Sequence, residues 1–150
     1  MRASYQELVR AEVARRGWVS IMNDTQWTEL RDAVRNELPF APPFQFKAVL
    51  KTLPEPEQFE TDVDYWGDWS DESLSPLFGV EWLRIRPRYL RHRGRLIAPE
   101  VQSVESEFLA ILHRYHIPYR QDGDSIWIYG YASPSCPMLS EDRTPPAEIC

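Results

Sequence analysis

The sequence predicts an α+β domain, with a mostly antiparallel sheet of about four to five strands packed with three helices. Three observations carry this. Apolar residues recur at helical spacing in three stretches: residues 4–16, 24–38, and from Pro99 to about residue 117. Short runs of alternating or aromatic-rich character read as strands at Phe44–Leu53, Val63–Trp69, Val80–Arg86 and Ser125–Tyr129. The two classes are segregated along the chain rather than interleaved, which favours antiparallel pairing over βαβ units.

Ser4 can cap the first helix, and Glu7 three residues later completes a capping box. Tyr5, Leu8, Val9 and Val13 form its apolar stripe, and Gly17 stops it. A short apolar piece follows, from Trp18 to Met22. Asn23-Asp24-Thr25 offers N-cap oxygens to the second helix, whose stripe is Trp27, Leu30, Val34 and Leu38. Pro39, Pro42 and Pro43 end it. In the strand from Phe44, the residues Phe44, Phe46, Ala48 and Leu50 alternate with Gln45, Lys47, Val49 and Lys51, and Pro54 and Pro56 close it. Along Val80–Arg86, Glu81, Leu83 and Ile85 share one face, with Val80, Trp82, Arg84 and Arg86 on the other. The segment up to Gly94 reads as a turn or an exposed connection. Pro99 opens the third helix, whose stripe is Val101, Val104, Phe108, Ile111, Leu112 and Tyr115, and Pro118 closes it. Asp122-Gly123-Asp124, between Tyr119–Gln121 and Ser125–Tyr129, marks a hairpin.

Residues 1–131 are expected to form one domain. The Ser-, Pro- and acid-rich segment 132–150 is expected to be poorly ordered or draped over the surface. Six Trp and seven Tyr argue against disorder over most of the chain. A net charge of −6 disfavours non-specific nucleic-acid binding by the whole molecule. No apolar run is long enough to span a bilayer, and no apolar leader follows the first Met, so a cytoplasmic location away from membranes is expected. Cys136 and Cys150 both lie in the tail, away from any metal-like spacing. Free thiols in a reducing compartment are the simpler reading and a tail disulfide the other.

Charge is sharply divided. Between Thr52 and Leu83 every charged residue is acidic, and from Arg84 to Arg95 every one is arginine. Arg84, Arg86 and Arg88 at period two could grip phosphates, or could answer the acids that precede them. Glu81, on an apolar strand face, would need a cationic partner, which the adjacent arginines could supply. It could otherwise serve as a catalytic acid. His113 and His116 could share a helix face, yet Glu107 is too distant along the helix to complete a metal site, so no metal or other cofactor is expected. His92 has no obvious partner. Ser135-Cys136 and Ser140 lack a glycine elbow, and no phosphate-binding or dinucleotide motif occurs, so no enzymatic activity is expected.

The segment Tyr65-Trp66-Gly67-Asp68-Trp69-Ser70-Asp71-Glu72 combines large aromatics with acids. Trp and Tyr anchor many protein interfaces, and acids around them would steer a basic partner. Strand alternation would set Tyr65, Gly67 and Trp69 against Trp66 and Asp68. Part of the segment would then belong to the core and part to a surface.

Four short motifs, in this order, resemble an uncharacterised family of small bacterial proteins. They are Asn23-Asp24-Thr25-Gln26-Trp27, Gly67-Asp68-Trp69, Val80-Glu81-Trp82-Leu83-Arg84-Ile85 and Ile128-Tyr129-Gly130-Tyr131, covering roughly residues 20–131. By size, charge and class the resemblance implies an immunity protein that binds and neutralises a cognate toxin or effector domain. Its partner would be a protein with a basic surface, met by Tyr65, Trp66, Asp68, Trp69, Asp71 and Glu72. Two alternatives remain at this stage: an enzyme acting on an anionic substrate through Glu81, Arg84 and Arg86, and a nucleic-acid or adaptor protein using the arginine strand.

Overall fold

The computed structural model describes residues 2–74 and 76–135. Capping chemistry sets the first two helices where the sequence places them. Helix α1 spans Tyr5–Arg16. The Ser4 hydroxyl accepts the Glu7 N–H at 3.1 Å, and the Glu7 carboxylate accepts the Ser4 N–H at 3.3 Å. Gly17, at φ 68°, ends the helix in the left-handed conformation that glycine adopts without penalty. Helix α2 spans Asp24–Glu37, with Asn23 and Gln26 exchanging the same reciprocal pair. It buries Trp27, Leu30, Ala33 and Val34. By contrast α1 buries only Val9 of its stripe, and Leu8 stays 47% exposed.

Eight strands complete the fold among the described residues: β1 (Val19–Ser20), β2 (Phe44–Ala48), β3 (Val80–Ile85), β4 (Arg88–Arg91), β5 (Glu100–Ser103), β6 (Arg120–Asp122), β7 (Ser125–Tyr129) and β8 (Tyr131–Ala132). The fold is α+β, as the sequence predicts. The main sheet has the order β2-β3-β7-β6, and every neighbour pair is antiparallel. Register places Phe46, Leu83 and Ile128 in one row and Phe44, Ile85 and Ile126 in the next. These rows join one core with Trp27, Leu30 and Val34 of α2 and with Phe108, Ile111 and Leu112 of helix α3 (Glu105–Arg114). Each fully buried aliphatic side chain there contributes about 1.5–3 kcal/mol. The opposite face carries Gln45, Arg84, Trp127 and Arg120 in one row and Lys47, Trp82 and Tyr129 in another.

A bulge explains the fate of Glu81. Lys47 pairs with Trp82 and Ala48 with Val80, so Glu81 is the extra residue. Strict alternation would set it beside Leu83 and Ile85. Instead the bulge brings its carboxylate to the Lys47 ammonium, at 2.5 Å. Its partner is a lysine from the neighbouring strand, not one of the arginines.

Four further expectations are corrected. The strand from Phe44 stops at Ala48, because the chain doubles back and Glu55 exchanges both backbone bonds with Phe46. Val63–Trp69 is not a strand: it makes single backbone bonds at two places, from Leu90 N–H to Val63 O and from Gly67 N–H to Ala41 O, and no continuous ladder. The arginine segment is not a connection but begins a hairpin, β4 with β5. Helix α3 starts at Glu105, not near Pro99; Val101 pairs with Leu90 in the hairpin, and Val104 is the helix N-cap. The β6–β7 hairpin turns at Gly123, φ 59°, as Asp-Gly predicts.

Gly130 joins three segments. Its N–H donates to Glu81 O at 2.8 Å and its carbonyl accepts the Ile21 N–H at 2.9 Å. A Cβ there would lie 2.1 Å from Val80 O, so only glycine permits the approach. Beside it, β1 pairs with β8. The expected tail begins at residue 132, and Cys136 and Cys150, whose pairing was left open, lie outside the described residues.

Candidate functional site

The acidic aromatic segment is anchored by its small and buried members. The Gly67 N–H donates to Ala41 O at 3.0 Å, and the Trp69 indole N–H donates to Pro42 O at 2.8 Å. Gly67 is needed here because a Cβ would meet Pro42 O at 2.3 Å and the Phe44 ring at 2.8 Å. Trp69 is 2% exposed and lies edge-on to Phe44 and Phe108. It therefore fastens the segment to the core and is nearly closed to solvent, whereas Tyr65 and Trp66 of the sequence-predicted set are exposed.

Trp66 has the opposite environment. It is 53% exposed, yet its ring is held by Phe40, stacked at 6.1 Å, and by Tyr89, edge-on at 5.9 Å. Phe40 and Tyr89 themselves meet at 4.5 Å. Tyr65, also exposed, stands beside it. Neither Phe40 nor Tyr89 stands out in the sequence. Phe40 reads as part of a proline-rich helix stop and Tyr89 as part of a connection, and only their convergence gives them a role.

The carboxylates differ in how far they are already committed. Asp68 accepts the Ser70 N–H at 3.1 Å, and bonds from Ser70, side chain first, hold its carboxyl below the usual range, so it is ionised at neutral pH. Asp71 meets both Arg31 and Arg35 at 3.3 Å, which neutralises part of its charge. Glu72 is exposed. Between this segment and the end of α2 lies a groove of about 350 Å³, lined by Val34, Leu38, Phe40, Ala41, Trp66 and Trp69 together with Arg35, Asp68 and Ser70. A mainly apolar groove that holds one cation and one anion suits a protruding apolar side chain of another protein.

The first three arginines of the run are engaged within the molecule. Arg84 donates to Ser125 Oγ at 2.9 Å and lies over the Trp127 ring. Burial, and then the neighbouring Arg86, lower the proton affinity of its guanidinium. Arg86 is buried, donates to the carbonyls of Phe59 and Glu60, and meets Asp124 at 3.4 Å. Arg88 bridges Asp62 at 2.8 Å and Asp124 at 3.2 Å. Period two thus commits three arginines to partners within the molecule, and two of them, Arg86 and Arg88, clamp Asp124. Glu81 is taken by Lys47, whereas Arg84 and Arg86 both lie over the Phe59 ring and have the adjacent Ser125 and Asp124 as side-chain partners. His92, which has no obvious partner in the sequence, meets Asp64 at 3.1 Å. His113 pairs with the Tyr119 hydroxyl at 3.1 Å, and no three metal-ligating side chains gather among the described residues.

The span of the chain over which its pattern is shared decides its kinship: a family match covers residues 9–135, from α1 to just beyond β8. The chain belongs to DUF6678, a family of unknown function. Both the acidic aromatic segment and the β4–β5 hairpin fall inside the DUF6678 region. No curated protein and no solved structure matches the chain. No helix among the described residues is long and apolar enough to cross a membrane.

Proposed function

We propose that this DUF6678 protein acts by binding another protein through the Trp66 surface, as an immunity protein that occludes the basic active site of a cognate toxin or effector domain. The observation that supports this most is Trp66 itself. A large ring is kept half in water while Phe40 and Tyr89 fix its orientation. A rigid, exposed aromatic loses little conformational entropy when a partner covers it, which is why such residues dominate interfaces. Asp68, which lines the same groove, adds negative charge beside it, and Glu72 further along the segment is exposed. That charge favours a cationic partner and accelerates its approach at low salt. Bacterial origin and toxin neutralisation rest on the motif resemblance and on the acidic, small-domain character of the chain.

The test uses the C-terminal domain encoded by the neighbouring reading frame. Its affinity for the full chain and its toxicity in co-expressing cells would be measured. Trp66→Ala should weaken binding by about 30-fold or more, the scale of an interface anchor. Reversing Asp68, Asp71 and Glu72 to lysine should slow association and remove its salt dependence. Unchanged affinity and unchanged protection in both variants would sink this assignment.

A further inference from the structure

The β4–β5 hairpin forms an arm of its own. Its ladder runs only between its two strands, from Arg88 opposite Ser103 to Arg91 opposite Glu100, apart from the main sheet. Every residue from Arg91 to Val101 is exposed. The tip is nonetheless braced, because the Arg93 guanidinium donates twice to Ala98 O, at 2.9 and 3.2 Å. It presents two chemistries together. Leu96 is 99% exposed with Ile97 beside it, and Arg91, Arg93 and Arg95 form no ion pair among the described residues. A braced apolar tip ringed by cations marks a contact surface.

A complementary surface lies at the base of the same arm. A groove of about 330 Å³ there is lined by Glu60, Asp62, Val63, Asp64, Tyr65, Leu90 and His92. It combines apolar side chains with three carboxylates, of which Asp62 already meets Arg88 and Asp64 meets His92, while Glu60 forms no ion pair among the described residues. The arm does not fold its tip back onto its own base: Leu96 is fully exposed. A second copy related by a two-fold axis can supply what one copy cannot. Two such arms run in opposite directions, and each tip then meets the other's base. The same contact is made twice and the assembly closes.

We infer that the protein self-associates as a two-fold dimer, in which Arg93, Arg95 and Leu96 at the arm tip of each copy dock in the groove formed by Glu60, Asp64 and Tyr65 of the other. Nucleic acid is the less suitable occupant of the arm. The net charge is −6, and the carboxylates at the arm's base would face the phosphates. Trp66, Asp68 and Glu72 do not line this groove, whereas Tyr65, beside Trp66, does, so the two surfaces adjoin at Tyr65. The dimer is tested on the chain alone, without the partner proposed above.

Sedimentation velocity on the full chain over about 1–100 µM, at low and high salt, tests the inference. The wild type should show a concentration-dependent dimer that weakens as salt rises. Leu96→Asp should reduce dimerisation by about 10-fold or more, since it puts a charge where an apolar contact is needed. Because Leu96 is free of contacts in the monomer, the variant should retain the wild-type circular dichroism and melting temperature. Arg93→Glu with Arg95→Glu should be monomeric alone, as should Glu60→Arg with Asp64→Arg, and mixing the two should restore a heterodimer. A wild type that stays monomeric throughout overturns the inference. So does a dimer indifferent to Leu96→Asp, or a mixture that fails to associate. Retardation of mixed-sequence DNA or RNA by a monomeric wild type, lost on reversing Arg93 and Arg95, would overturn it in favour of nucleic acid.

Discussion

Arg86 and Arg93 belong to one uninterrupted run of like charge, yet the fold treats them in opposite ways. Arg86 is buried against the carbonyls of Phe59 and Glu60 and beside Asp124. Arg93 stands at the tip of an arm in water, braced by Ala98 O. Neither residue type nor spacing separates the two. The difference comes from the partners that the fold brings close. The segment before β3 folds over the first half of the run and delivers Phe59, Glu60 and Asp62, while the β6–β7 turn delivers Asp124. The second half outruns both and is left to solvent.

Substitution should widen this contrast first. Arg86→Leu removes the donor to the Phe59 and Glu60 carbonyls and leaves Asp124 with Arg88 as its remaining cation, and should lower the unfolding free energy by about 3 kcal/mol in urea titration. Arg93→Ala should change it by less than about 0.5 kcal/mol. Equal losses in the two variants would erase the distinction.

The second largest effect is expected at Gly67, where the acidic aromatic segment meets the 41–42 loop. Gly67→Ala places a methyl within 2.3 Å of Pro42 O and should cost about 2 kcal/mol or more as the segment is pushed off the loop. Loss of the Trp66–Tyr89 contact, read from tryptophan fluorescence, should accompany it.

The two tryptophans of that segment sharpen the same comparison on a smaller scale. Trp69→Phe keeps the ring but removes the donor to Pro42 O, and should cost about 1–2 kcal/mol with no direct effect on a bound partner. Trp66→Ala should cost about 1 kcal/mol in stability, from its two ring contacts, and far more in binding. A binding loss that follows Trp69 rather than Trp66 would reverse the assignment of the surface.

The smallest effect concerns α1. Hydrogen bonds from Arg15 and then Arg16 hold the Glu12 carboxyl at about 2, against an ordinary value of 4.5. A depressed carboxylate stabilises the folded state above its ordinary value and loses that contribution as the pH falls towards about 2. Glu12→Gln should therefore lower the melting temperature slightly at neutral pH. The difference from wild type should shrink between pH 4.5 and about 2. A constant offset across that range would show that the clip contributes nothing through its charge.

Where local chemistry decides an element, the sequence announces it. The Ser4–Glu7 and Asn23–Gln26 boxes, the Gly17 stop and the Asp-Gly turn all act between near neighbours, and each forms as its residues dictate. Leu83, Ile85, Ile126 and Ile128 are equally plain, because alternation and apolarity agree. Prediction fails where a distant segment overrides a local preference. Val63–Trp69 has the composition of a strand, but Pro42 O and Ala41 O claim its donors. Val101 fits a helical stripe, but Leu90 claims it for a hairpin. Glu81 fits an apolar face until the bulge displaces it. The proposed binding surface is half legible for the same reason. Its aromatics and acids are visible in order, whereas the sorting of Trp66 to water and Trp69 to the core depends on Phe40, Pro42 and Tyr89.

The Gly130 junction has a consequence for time rather than for strength. Its bond to Ile21 and the β1–β8 ladder connect positions near opposite ends of the described chain. Closing so long a loop costs entropy that nearer pairings avoid, and only a few bonds return it. This ladder should then form after β3 has found β2 and β7, and should open before them. In native-state hydrogen exchange the Ile21 amide would trade its proton well before those of Leu83 and Ile85. The helix α1 that it tethers would loosen in the same event, while the core beneath α2 and α3 stays closed.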